Sequence, residues 1–377
     1  MNHLRWISPV IALTLANPVF GDSEPTVEIH TLSTDPDSTA TYQSPYEQRI
    51  NTLQHQPVSW LQLYGIAELE KSLHWQKPVA GSVAGHYDRD RSEHALRTLQ
   101  LGAYAEWNEH LSAVVVLESE YAKTGYNRAD EAYVTVAGGG LALNAGLMYY
   151  PIALVHGHFI TPPLLEFAET RQPGVLLTYT WKGLSLGGFI YEGEADHSSK
   201  NPDSDWGFNA HYVNRNGSLH LTASYIADIA DSEGQLLLDQ GNRYGKRVGA
   251  YGASALYGWR DGLAGEVTAE MVVAAEDMPD MPAGLERPAS VNLELAVFPA
   301  ETWQFAWRYE ESRDLADAPA RRYGVGMGWQ FMPRLNLAAE FMRSKFNHRD
   351  SALMVTDKHG DTLQERYTLT TQLTLIF

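Results

Sequence analysis

Tyr367-Thr-Leu-Thr-Thr-Gln-Leu-Thr-Leu-Ile-Phe377 closes the chain, and its reading decides the fold. Side chains of a strand alternate between two faces. One face here carries Tyr367, Leu369, Thr371, Leu373, Leu375 and the terminal Phe377; the other carries Thr368, Thr370, Gln372 and Thr374, with Ile376 as the exception. A strand ending on an apolar edge invites aggregation in a soluble sheet. A closed membrane barrel removes the problem, because every edge is paired and the apolar face meets lipid. The ending has the form of the carboxy-terminal signature of outer-membrane barrels: an aromatic last residue preceded by alternating apolar positions.

The same period of two recurs backwards to Trp60. Strand candidates are 60–72, 94–107, 111–121, 130–136, 141–150, 174–181, 184–192 and 205–213, then 219–227, 247–259, 263–275, 289–298, 303–310, 322–331, 335–345 and 363–377. The expected fold is all-β, a transmembrane antiparallel up-and-down barrel of about sixteen strands. The connections alternate in length. Short ones, such as 137–140 and 182–183, are rich in Gly, Asn, Asp and Pro; long ones include 73–93, 151–173 and 228–246. Short periplasmic turns and long external loops are the habit of such barrels. Trp303, Phe305, Trp307 and Tyr309 alternate with Gln304, Ala306, Arg308 and Glu310, which predicts lipid-facing and lumen-facing sets. Trp107, Trp181, Trp259, Phe298, Trp303 and Phe331 lie near the turn ends of their strands, as an aromatic girdle requires.

Composition agrees. The chain has 377 residues and 0 Cys, the latter fitting an exported protein. Mean hydropathy is −0.30, which excludes nothing, since barrel strands are apolar only at every second position. After the amino terminus no apolar run approaches the ~20 residues of a membrane helix. A formal charge of −18 argues against nucleic acid as a partner. Residues 1–21 read as a secretory signal, with Arg5 in the n-region and cleavage expected after Gly21. Residues 22–59 form a polar periplasmic leader, in which Tyr46, Ile50 and Leu53 have the spacing of a short helix. An exported barrel also has periplasmic chaperones, the barrel-assembly machinery and outer-membrane lipid as partners.

Sixteen strands enclose a wet lumen unless something fills it, and 22–59 is too short for a plug domain. The lumen face is acidic: Glu68, Glu70, Glu106, Glu118, Glu120, Glu131, Glu266, Glu270, Glu294, Glu310 and Glu340 fall on it, with Arg308 and Arg322 among the few bases. Carboxylate rings attract cations; solvated filler is the bland alternative. The third long loop, 151–173, reads PIALVHGHFITPPLLEFAETRQP. Its apolar residues are awkward in water and predict an inward fold against the wall. That fold would carry His156, His158, Glu166, Glu169 and Arg171 to the narrowest part of the pore, with Glu118, Glu131, Arg308 and Glu310 as further residues of the constriction and substrate path. An external lid or a contact in a homo-oligomer is the other role open to the loop. Two His alone are a weak metal signal. No nucleophile elbow or acyl-transfer arrangement is present, so neither enzyme chemistry nor a cofactor is expected.

At this loop the sequence resembles the LbtU-type siderophore porin family. The carrying residues are Asp130-Glu131-Ala132-Tyr133-Val134-Thr135-Val136, Ala145-Gly146-Leu147-Met148-Tyr149-Tyr150-Pro151, Pro162-Pro163-Leu164-Leu165-Glu166-Phe167-Ala168-Glu169-Thr170-Arg171 and Gly183-Leu184. The pattern departs at Ala153, where Gly is common, at Pro163, where Leu is common, and at Leu164, where Thr is common. The resemblance implies plug-free uptake of a ferric siderophore across the outer membrane of a Gram-negative cell, with Glu166, Glu169 and Arg171 shaping the constriction. An acidic lumen stands in tension with an anionic ferric chelate. A general cation-selective porin, a non-conducting adhesin or structural barrel, and a barrel lipid hydrolase are the competing readings.

Overall fold

The computed structural model describes residues 55–79, 88–120, 126–153, 157–193, 204–232, 246–281, 284–347, 355–356 and 362–377. The expected signal segment, nearly all of the leader with its short helix, and His156 lie outside the described residues. A short strand, β1 (His55–Val58), folds back on the first barrel strand. The barrel follows as β2 (Leu61–Pro78), β3 (Asp88–Asn108), β4 (Leu111–Glu120), β5 (Tyr126–Gly138), β6 (Leu141–Tyr150), β7 (Thr170–Trp181), β8 (Leu184–Glu192) and β9 (Ser204–Val213). It continues with β10 (Leu219–Ile226), β11 (Ala250–Trp259), β12 (Ala264–Ala274), β13 (Ala289–Ala300), β14 (Trp303–Arg313), β15 (Arg321–Met332), β16 (Leu335–Lys345) and β17 (Leu363–Ile376).

From β2 onward each strand pairs antiparallel with its sequence neighbours, and β17 pairs with β2 to close a sixteen-strand barrel. All sixteen expected strands are present. β2 and β3 run further out than the period-two pattern indicated, and Thr170–Trp181 takes in the end of the expected third loop, including Arg171. The closing seam explains the carboxy-terminal aromatic. Gly65 N donates to Phe377 O (2.6 Å), Phe377 N donates to Gly65 O (2.9 Å), and the Phe377 ring lies over Gly65, where a Cβ would meet it at 2.5 Å.

The pleat sorts the side chains as expected. On β13 and β14, Leu293, Leu295, Phe305 and Trp307 are exposed outward, while Asn292, Glu294, Ala306 and Arg308 are buried within. Tight turns at one end use left-handed backbone: Gly139 (φ 59°) and Gly140 (φ 82°), and Lys182 (φ 47°) and Gly183 (φ 81°). Two successive positive φ values suit the twist of a two-residue hairpin. Phe298 departs from the expected girdle. It sits on the same face as Glu294 and Ala296, so it is buried in the lumen; Trp107, Trp181 and Trp303 point outward.

At the long-loop end the lumen is not empty. Lumen-facing Tyr150, Phe189, Tyr191, Ile226, Ala250 and Val272 pack with Ile152, Leu165, Phe167 and Ile229 from loops folded over them. Ile152 enters because β11 has Gly252 beneath it, where a Cβ would lie 1.5 Å from the Ile152 carbonyl.

Candidate functional site

The loop between β6 and β7 crosses the lumen to the far wall. An irregular backbone inside a barrel needs partners for its N–H and C=O groups, and the wall strands supply them. His158 N donates to Glu294 Oε1 on β13 (2.6 Å). Thr161 N donates to Glu340 Oε2 on β16 (2.9 Å), and the Thr161 hydroxyl donates to the other oxygen of that carboxylate. Leu164 N donates to Glu310 Oε1 on β14 (2.6 Å).

The guanidiniums complete the arrangement. Arg308 donates through Nε to Glu294 (2.8 Å) and through Nη1 to the Thr161 carbonyl (2.6 Å). Arg322 forks onto Glu310 and donates through Nη2 to the Pro162 carbonyl (2.5 Å). Glu294 and Glu310 are thus each divided between an arginine and a loop N–H, which compensates charge that is out of water. Glu294, Glu310 and Glu340 hold the loop rather than line open water.

Side chains lock the register of these bonds. The His158 ring lies between Gln304 Oε1 (3.1 Å from Nδ1) and Glu266 Oε1 (2.5 Å from Nε2), edge-on to Phe298. Both ring nitrogens are therefore engaged. Phe159 lies under the Arg308 guanidinium, 4.4 Å from ring centroid to Cζ. It occupies space left by Gly324 and Gly326, where a Cβ would come within 2.8 and 3.2 Å of its ring. Gly157 is small for the same reason, since a Cβ there would meet Arg308 Nη2 at 2.3 Å. A short 3-10 turn, Leu164–Ala168, then packs against β12, β13 and β14 and returns the chain to β7.

The predicted site residues separate into groups. His158, Arg308 and Glu310 meet on the far wall. Glu166 and Glu169 are buried on the 3-10 turn and at its end. Arg171 does not join them, because it belongs to the β7 ladder opposite Tyr149 and donates to the carbonyls of Ala129 (3.0 Å) and Asp130 (3.3 Å) on β5. Glu118 and Glu131 stand on the β4–β5 wall. There Glu118 accepts from Gln100 (2.8 Å) and Arg128 (3.2 Å). Glu266, Glu294 and Glu340 were legible as lumen acids but not as loop anchors. The one hint was the Gly324-x-Gly326 spacing on the lumen face of β15, a cleft awaiting a side chain.

Three other carboxylates converge at the long-loop end. Oxygens of Asp205, Asp228 and Asp231 lie within 4.8 Å of one another. Asp228 caps a turn by accepting from Ala230 N (3.0 Å), and Arg247 stands 3.3 Å from Asp205. This group joins the turn after β10 to the start of β9, and Ile229 and Ala230 of the same turn pack with Leu165 and Phe167 of the crossing loop.

The profile of a family described as Gram-negative porin matches residues 61–349. No curated protein matches the chain. Among solved structures, the outer membrane channel DcaP of Acinetobacter baumannii is 11% identical, with 85% of this chain and 99% of that one covered at a TM-score of 0.56. An anion-selective porin from Comamonas acidovorans is 12% identical, covering 84% and 99% at 0.58. Salmonella typhi OmpF in complex with daunomycin is 14% identical, covering 86% and 100% at 0.57. At such identities the likeness is one of fold.

Proposed function

The chain belongs to the Gram-negative porin family and is an outer-membrane channel, and from that premise we propose that it carries small polar solutes, ferric siderophores among them, by passive diffusion past the crossing loop. The observation behind this reading is where the loop anchors go. The bonds of His158, Thr161, Pro162 and Leu164 run to β12–β16, which leaves the passage between the loop and the wall of β2–β5.

That wall carries Glu68, Glu70, Glu106, Glu118 and Glu131, opposed by Arg97 and Arg128. Arg97 lies 3.7 Å from Glu70, and Arg128 3.2 Å from Glu118, so the remaining charge is negative. An acidic path disfavours anions. The cargo read from the siderophore-porin resemblance is therefore narrowed to neutral or cationic chelates. Two of the segments that carry the resemblance, 130–136 and 162–171, lie in β5 and on the returning limb of the loop, and they meet where Arg171 donates to the Ala129 and Asp130 carbonyls.

Liposome swelling with ferric chelates of matched size and different charge tests the reading. Neutral and cationic chelates should enter faster than anionic ones. Equal rates, or no entry of any chelate while sugars pass, remove the cargo and leave the channel. The same acidic wall also favours a second reading, a general cation-selective porin. Reversal potentials in planar bilayers separate the two, because a cation preference unaltered by added ferric siderophore supports the general porin.

A further inference from the structure

On the outer surface of β14–β17 and β2, at the long-loop end, two rows of side chains run across five strands. The upper row is Glu311, Arg321, Lys345, Glu365 and Lys77, each paired directly with the next. The row beneath is Tyr309, Tyr323, Arg343, Tyr367 and Trp75, paired in the same way. Arg313 stands above Glu311 on the same face of β14.

The acids in the upper row are already engaged. Glu311 accepts from the Tyr309 hydroxyl (2.7 Å) and from Arg321 (3.4 Å). Glu365 accepts from the Tyr367 hydroxyl (2.8 Å) and from Arg343 (2.9 Å). Lys345 and Arg343 lie over the rings of Tyr323 and Tyr367, at 6.0 and 5.6 Å from their centroids. Arg313 is 3.8 Å from Asp314, a further acid beside the rows. Among the described residues, bases outnumber acids on this face of a chain whose net charge is −18.

Arg321 and Lys345 are direct cross-strand partners, and like charges so placed repel. Positive charge here is not a requirement of the membrane boundary. At the same end of β9–β11 the outward side chains Trp206, Tyr225 and Tyr251 make an aromatic stack, with ring centroids 5.5 and 5.1 Å apart and no base among them. Aromatic rows mark the level of the lipid headgroups. A basic row just above them sits at the depth of lipid phosphate, where it attracts anionic lipid.

We propose that this face binds the phosphate groups of an outer-leaflet lipid, with Arg321, Lys345 and Lys77 at the phosphates and the tyrosine row against the acyl boundary. The inference rests on the membrane placement of the barrel and is independent of the cargo. The test uses the full-length mature protein in detergent. Binding of bisphosphorylated lipid A is compared with that of the same lipid after enzymatic dephosphorylation, by native mass spectrometry and by competition with inorganic phosphate.

The phosphorylated lipid should bind at least tenfold more tightly than the dephosphorylated one. The triple variant K77Q/R321Q/K345Q should lose that difference while keeping its single-channel conductance, since none of the three faces the lumen. Should the triple variant not fold, K77Q/K345Q leaves both Arg–Glu bonds in place and should show a smaller loss in the same direction. Equal binding of the two lipids, unchanged preference in the variants, or full displacement by millimolar inorganic phosphate overturns the proposal.

Discussion

Replacing Glu340 by alanine removes one anchor of the crossing loop and leaves the barrel ladder intact. Its carboxylate takes two hydrogen bonds from Thr161, one from the backbone N–H at 2.9 Å and one from the hydroxyl. A bond to a charged acceptor contributes about 1.5–3 kcal/mol, so two contribute about 3–6 kcal/mol. Water entering the vacated space recovers part of this, which makes the lower end, about 3 kcal/mol, the working figure. At about 1.4 kcal/mol per factor of ten, the opening equilibrium of the loop around Thr161 shifts by roughly two orders of magnitude.

The loop is not expelled, because His158, Pro162 and Leu164 keep their bonds to Glu294, Arg322 and Glu310. The expected phenotype is a channel of higher mean conductance with added open-state noise, recorded in planar bilayers. Thr370→Val serves as the control, since Thr370 is the direct cross-strand neighbour of Glu340 and its hydroxyl accepts from Ser72 on β2 (3.3 Å). A folded Glu340→Ala protein whose current traces match those of wild type would refute the anchoring argument.

Three further outcomes follow from the same geometry. Gly326→Leu fills the cleft of Phe159, whose ring lies 3.2 Å from the position of a Cβ there, so the loop should be displaced and conductance should rise; a smaller conductance would show that the new side chain enters the passage instead. Deleting Phe377 removes both bonds of the seam with Gly65, and the folded, heat-modifiable fraction in an electrophoretic assembly assay should fall. Leu295→Arg puts a charge on the lipid face of β13 and should destabilise folding into bilayers by about 2–4 kcal/mol in denaturant titration, the cost of arginine near the midplane, whereas Ala296→Ser on the opposite face should cost far less.

The strands were readable because a two-faced wall writes its period into the residues themselves. Trp303, Phe305 and Trp307 meet lipid, while Gln304, Ala306 and Arg308 do not. Strand ends read less well. β2 and β3 project beyond the apolar band, where hydrogen bonding persists without apolar alternation. Phe298 shows the limit at single positions, because an aromatic near a strand end reads as girdle whichever face it takes. Here it faces inward to pack against His158.

The apolar content of the third long loop predicted burial, and its residues Ile152, Ile160, Leu164, Leu165 and Phe167 are buried. Its anchors were not legible. His158 and Glu294 are 136 residues apart and Thr161 and Glu340 are 179 apart, so no local spacing joins them. Arg171 read as a loop residue for the opposite reason: Thr170–Trp181 begins with residues whose pattern is irregular, and only pairing with β6 extends the strand that far.

The most direct measurement is single-channel conductance after residues 157–164 are replaced by a short glycine–serine linker. A loop pinned across the lumen predicts larger, discrete conductance steps than those of the intact protein, with ion selectivity then set by the uncovered carboxylates and arginines of β12–β16. Steps of unchanged size in a correctly folded barrel would contradict it.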